Sequence, residues 1–137
     1  MKRIGILSDT HGSVPRQVYT FFKDCDELWH AGDLGRGVLE TLQAFKPTRA
    51  VWGNIDDSKL HLQLPRINNF TCDGLHVIIT HIGGYPDHYD RQIQPLLLAE
   101  KPDIFISGHS HILRVMFDRR LNLLHINPGA AGHQGFH

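Results

Sequence analysis

No run of apolar residues in this chain approaches the length that crosses a bilayer, and the stretch Ile4–Leu7 near the start is too short for a signal-peptide core. Cysteine is almost missing. Cys25 and Cys72 are the only two and form no CxxC pair, so a disulfide framework is excluded and both read as small buried side chains in a reducing compartment. Net charge is missing as well, with 14 Lys plus Arg against 14 Asp plus Glu. That balance argues against a broad electrostatic footprint for a nucleic acid duplex or an anionic membrane, and leaves a small phosphorylated substrate open. There are no repeats, low-complexity tracts or linkers, so residues 1–137 read as a single domain, expected in the cytoplasm.

Histidine is the opposite case. Eleven in 137 residues is a heavy load of the commonest side-chain metal ligand, and position decides what it means. Short apolar runs alternate with helix-like segments, the α/β pattern. Strands are expected at 4–7, 27–30, 48–52, 70–72, 75–80, 103–107, 113–118 and 121–126, with hairpins around Asp73-Gly74 and Arg119-Arg120. Helices are expected from a Ser13 cap through about Lys23, from Val38 to Phe45 with a stop at Pro47, and from Ile93 to Glu100. Residues 56–69 read as an irregular connection and 82–90 as a loop.

Five polar clusters follow apolar runs: Asp9-Thr10-His11, Gly32-Asp33, Gly53-Asn54-Ile55-Asp56, Thr80-His81 and Gly108-His109-Ser110-His111. In an open α/β sheet, ligands bind where the carboxyl ends of strands converge, and Gly32, Gly53 and Gly108 let the backbone turn sharply there. Each cluster alone has a plainer reading as a turn or a hydrogen-bonded surface histidine. All five in one chain point to metal. Oxygen and imidazole donors without thiolate suit Mn²⁺, Fe or Zn²⁺, with Ni²⁺ also admissible. Asp9, His11, Asp33, Asn54, His81, His109 and His111 are too many for one tetrahedral ion. Two ions ~3.5–4 Å apart with a bridging carboxylate use the set economically. His30 and His125 read as buried, hydrogen-bonded residues, and His61, His76, His88, His133 and His137 as exposed, with His88 near enough to His81 in sequence to flank substrate.

The order D-x-H, G-D, G-N-x-D, H, G-H-x-H resembles the calcineurin-like metallophosphoesterase superfamily, and Gly53-Asn54-Ile55-Asp56 with Asn127-Pro128-Gly129 is similar to its small bacterial and archaeal phosphodiesterase branch. The resemblance covers residues 4 to 129. It implies an α/β fold of two packed mixed β-sheets flanked by helices. It also implies one metal on Asp9, His11 and His111, a second on Asn54, His81 and His109, and Asp33 between them. The chemistry implied is in-line attack on phosphorus by a metal-bridging hydroxide, with Mn²⁺ as the first choice of ion. Asp33, Asn54, Asp56 and His81 are then the candidate catalytic residues.

Departures sharpen the expectation. Protein phosphatases of the superfamily carry histidine where this chain has Ile55, which cannot donate a proton to a leaving group, so a phosphodiester with a good leaving group is favoured unless Asp56 takes that role. Arg36 is out of register with the arginine of their G-D motif and reads as a surface residue. The His-Gly step is displaced to His81-Ile82-Gly83-Gly84. Relatives continue past Asn-Pro-Gly with further strands, so the chain is expected to be a truncated form with one sheet edge open. The alternatives are a phosphomonoesterase or nucleotide pyrophosphohydrolase, and a non-catalytic protein-binding scaffold like the superfamily's retromer subunit.

Overall fold

The computed structural model describes residues 1–132, so His133 and His137 lie outside the described residues. Strands β1 (Ile4–Leu7), β2 (Glu27–His30) and β3 (Thr48–Ala50) form a parallel three-stranded sheet in the order β1-β2-β3. Strands β4 (Ile67–Cys72), β5 (Leu75–Thr80), β8 (Ile104–Ile106), β9 (Arg114–Asp118) and β10 (Leu123–Asn127) form a second sheet, ordered β4-β5-β8-β10-β9. Its inner strands β5, β8 and β10 run parallel, while β4 and β9 pair antiparallel as hairpin edges.

Side-chain alternation sorts the residues into three apolar layers. Trp29, Val51, Val77, Ile79 and Ile106 fill the space between the sheets, where Trp29 meets Phe70 edge to face at 4.9 Å. Leu7, Leu28 and Ala50 face outward from the first sheet against α1 (Arg16–Phe21), α2 (Val38–Phe45) and α3 (Ser58–Gln63). Ile78, Phe105 and Leu123 face outward from the second sheet against Ile93 and Leu97 of the α4 (Gln94–Glu100) region. Full burial of such a side chain stabilises by about 1.5–3 kcal/mol, which pins both sheets to their helices. The result is the two-sheet sandwich with helices on both outer faces that the resemblance implies. Among the described residues no helix is long and apolar enough to cross a membrane.

Local differences have physical causes. Helix α1 starts after Pro15 with no side-chain cap, and the backbone N–H of Ser13 instead donates to the Thr10 carbonyl. Residues 58–63, expected to be irregular, are helical. Leu60, Leu62 and Leu64 alternate like a strand, but Asp57 accepts from the Leu60 N–H and caps a short helix that buries only Leu60. The loop 82–90 contains a small hairpin of β6 (Gly84–Tyr85) and β7 (His88–Tyr89). His76, expected to be exposed, is half-buried, with a ring nitrogen 2.6 Å from Asn69 Oδ1.

Candidate metal centre

Because β1, β2 and β3 run parallel, as do β5 and β8, five strand ends deliver their polar clusters to one edge of the sandwich. Asp9 and His11 follow β1, Asp33 follows β2, Asn54 follows β3, His81 follows β5, and His109 and His111 follow β8. Two groups of donor atoms result: Asp9, His11 and His111, and Asp33, His81 and His109. Asn54 joins the second group, its Oδ1 standing 3.1 Å from His109 Nδ1. All seven residues proposed as ligands therefore meet at this edge.

The two aspartates are arranged alike. Asp9 Oδ2 accepts from the Ser8 hydroxyl at 2.6 Å and the His109 N–H at 3.2 Å. Its Oδ1 is buried without a hydrogen-bond partner and faces Nε2 of His111 at 3.2 Å and of His11 at 3.6 Å. Asp33 Oδ1 accepts from the Ile55 N–H at 3.0 Å. Its Oδ2 faces Nε2 of His81 at 3.1 Å and of His11 at 3.8 Å, so this one oxygen lies between the two groups.

His81 is oriented from behind. Its Nδ1 bonds the Ala31 carbonyl at 2.8 Å, which fixes the proton on Nδ1 and turns the Nε2 lone pair toward the site. His81 Nε2 nears Asp33 without the alignment of a hydrogen bond, and His11 Nε2 is likewise buried without a partner. Burial opposes a charged His81 ring, but the Asp33 carboxylate outweighs it and holds the ring above its ordinary value. Burial also opposes charge on Asp33, yet His81 and the Ile55 amide bring its carboxyl below the usual range. Lone pairs of imidazole and carboxylate facing one another, buried and unpartnered, are the surroundings that a divalent cation satisfies. Oxygen and nitrogen donors without sulfur suit such an ion.

The backbone is bent to serve this convergence. Asp9, His11, Asp33, His109 and His111 all have left-handed φ, between 51° and 70°. That conformation is uncommon for residues other than glycine and is held only where the surroundings over-determine it. Gly32 has the expected turning role, with φ 100° and its Cα against the His81 ring. Gly53 and Gly108 differ from expectation. Neither has a positive φ, and glycine is needed there because a Cβ would collide with Asp33 at Gly53 and with Ser8 and Asp9 at Gly108.

The geometry departs from expectation at Asp56. Its Oδ2 accepts from the N–H groups of Leu34 and Gly53 and its Oδ1 from that of Gly35. It is buried, and the bonds from Leu34 and Gly35 tie the Asp33 loop to the Asn54 loop while that from Gly53 closes the turn around Asn54, so its carboxylate is occupied in bracing the two loops rather than free to hand over a proton. Ile55 is exposed beside the site, and Arg36 is exposed as expected.

Two supports went unrecognised in the sequence. Thr10, between two ligands, has its hydroxyl 3.0 Å from His30 Nε2 and donates to the Leu34 carbonyl at 2.8 Å, while His30 Nδ1 accepts from the Gly32 N–H at 3.0 Å. Asn127 donates to the Gly108 carbonyl and to Ser110 Oγ, bracing the loop that carries His109 and His111. Both are buried polar residues whose partners lie 17 or more residues away in sequence, so only their position beside the ligand clusters hinted at them.

Known proteins resemble this chain in sequence and in fold. A probable metallophosphoesterase of Methanothermobacter thermautotrophicus is 33% identical over 135 residues, covering 93% of this chain and 76% of the relative. A structure described as a novel archaeal phosphodiesterase superposes with a TM-score of 0.78 at 26% identity, over 98% of this chain and 87% of that one. Zinc-complexed Vps29 from Entamoeba histolytica shares the fold, with a TM-score of 0.70 at 18% identity over 93% and 73% of the two chains. The profile of the calcineurin-like phosphoesterase superfamily domain matches residues 1–137. With two clusters of residues at the strand ends that could each hold a metal ion, the chain belongs to the calcineurin-like phosphoesterase superfamily.

Proposed function

We propose that this protein hydrolyses a small phosphodiester with the help of two divalent ions, Asp9, His11 and His111 holding one, Asn54, His81 and His109 the other, and Asp33 shared. The observation that supports this most is the set of buried, unpartnered donor atoms on Asp9, His11 and His81, facing one another around Asp33 Oδ2. When bound, such a pair of ions lowers the pKa of coordinated water and withdraws charge from phosphoryl oxygens as the transition state forms. Mn²⁺ is the first choice, with Fe, Zn²⁺ or Ni²⁺ compatible with the same donors.

The chain's own residues supply position. Ala31 and the Ser8 hydroxyl fix His81 and Asp9, while Asn54, exposed at the mouth, offers its amide N–H to a substrate oxygen. No acid stands at position 55, and the carboxylate of Asp56 is taken up by backbone amides. A leaving group that departs without a proton from these positions is therefore favoured. Turnover of an aryl phosphodiester against a phosphoserine peptide, both with Mn²⁺, tests this directly. The aryl ester is expected to react faster, and preference for the peptide overturns the reading. A cytoplasmic setting and a small phosphorylated substrate belong to the same proposal.

A protein-binding scaffold is the second reading, favoured by the Vps29 structures among the fold's neighbours. One of those is described as a zinc complex, so ion content alone does not separate the two readings. Hydrolysis does: no turnover of any phosphoester after Mn²⁺ reconstitution supports the scaffold.

A further inference from the structure

Beside the metal cluster, between the β6–β7 hairpin and the end of the second sheet, lies a recess of about 280 Å³ that shares His109 with the cluster. The hairpin is anchored over it, for the Tyr89 hydroxyl donates to Asp118 Oδ2 at 2.6 Å and the Tyr89 ring meets Phe105 edge to face. Ile82 and Ile112 give the recess apolar walls. Arg114 contributes a flat guanidinium lying 4.2 Å over the Tyr85 ring, and among the described residues it forms no ion pair. His125 also lines it, fully buried, with a hydrogen-bond partner on neither ring nitrogen. The Phe105 carbonyl is near enough to favour charge on the His125 ring but is not aligned to accept a hydrogen bond, and burial pushes the ring down to about 4.

A buried polar ring without partners in a native fold calls for an explanation, and a bound group is one. A neutral imidazole offers one donor and one acceptor, which suits an uncharged group carrying both. Arginine laid over an aromatic ring makes a shelf on which another flat ring stacks. The recess is not an anion trap, since Asp90 stands in the lining with Arg114 and His125 is neutral. Anionic oxygens belong at the neighbouring ions, and the recess takes what is attached to them.

Resting on the phosphodiesterase reading above, we infer that the recess between Tyr85, Arg114 and His125 binds a flat, uncharged, hydrogen-bonding ring on the organic half of the substrate, so that a nucleoside phosphodiester is preferred to a simple alkyl one. The test compares kcat/KM with Mn²⁺ for thymidine 5′-(p-nitrophenyl) phosphate and methyl p-nitrophenyl phosphate. Both release nitrophenolate at the same centre, so their ratio reports the recess. The wild type is expected to favour the nucleoside ester by about tenfold or more. In Arg114→Gln and in His125→Phe, each checked for folding by circular dichroism, the ratio falls toward one. A wild-type ratio near one, or a ratio retained in both folded variants, overturns the inference. Should neither ester be hydrolysed, the phosphodiesterase reading fails by itself, and calorimetric binding of thymidine 5′-monophosphate against methyl phosphate decides the recess by the same ratio and variants.

Discussion

Replacing Thr10 by valine keeps the side-chain shape and removes one hydroxyl from the middle of a buried relay. The Gly32 N–H donates to His30 Nδ1, so the ring proton sits on Nε2 and donates to Thr10 Oγ1, which donates to the Leu34 carbonyl. Thr10 and His30 are both at 0% exposure, so water cannot replace what is lost. The Leu34 carbonyl keeps the Gly12 N–H as a partner, but the His30 Nε2–H is left with none. An unsatisfied buried donor costs about 1–3 kcal/mol and the lost hydrogen bond about 1 more, so Thr10→Val should destabilise by about 2–4 kcal/mol. With a urea dependence of about 1–3 kcal/mol per molar, the midpoint of the metal-free protein should fall by roughly 1–2 M. In the double variant with His30→Leu, the loss should be smaller than the sum of the two single losses by about 1 kcal/mol or more, because the two residues act as one unit. A midpoint shift under about 0.3 M, or strict additivity, would show that the relay does not hold the two ligand loops together.

Acid should destabilise the metal-free fold in a way His30 makes visible. Burial, aided by the nearby His81, pushes the His30 ring down to about 3, so the unfolded chain binds the extra proton below its ordinary 6.5. This stability is present above about pH 6.5 and is lost as pH falls toward 3, at about 1.4 kcal/mol per pH unit. His125, pushed down to about 4, acts in the same direction, so His30→Leu should lower the pH slope of urea stability by about one proton and not abolish it. An unchanged slope counts against a buried neutral His30. Asp33→Asn should abolish phosphoesterase activity and weaken metal binding, measured by calorimetry, by more than the roughly 10–100-fold typical of outer-shell partners. Near-normal rates would remove Asp33 from the shared position. Gly53→Ala drives a methyl into Asp33 and should cost about 1–3 kcal/mol in thermal denaturation, with a parallel fall in metal affinity. A stable variant with full affinity would show that the approach of the two loops is slack.

The seven ligand candidates were legible in the sequence because metal chemistry restricts residue type and strand ends restrict position: Asp, His or Asn after each apolar run, several beside glycine. The alternation of strands and helices was legible for the same kind of reason, since burial imposes a period on the chain. Residues 58–63 were not, because one buried leucine and a cap leave no period to read. Nor was the role of Asp56, whose type fits an acid as well as a brace; only the backbone amides of Leu34, Gly35 and Gly53 around it decide between them. His30 could be assigned to the interior from its place in a strand, but its partner Thr10 lies 20 residues away and is found only when the sheet is assembled. Sequence thus determined which side chains could bind metal, because that is a property of the residues themselves. Only the tertiary structure decided which atom of Asp9, Asp33 and His81 is free to do so, since that depends on the hydrogen-bond partners that other loops bring to the opposite side of these side chains.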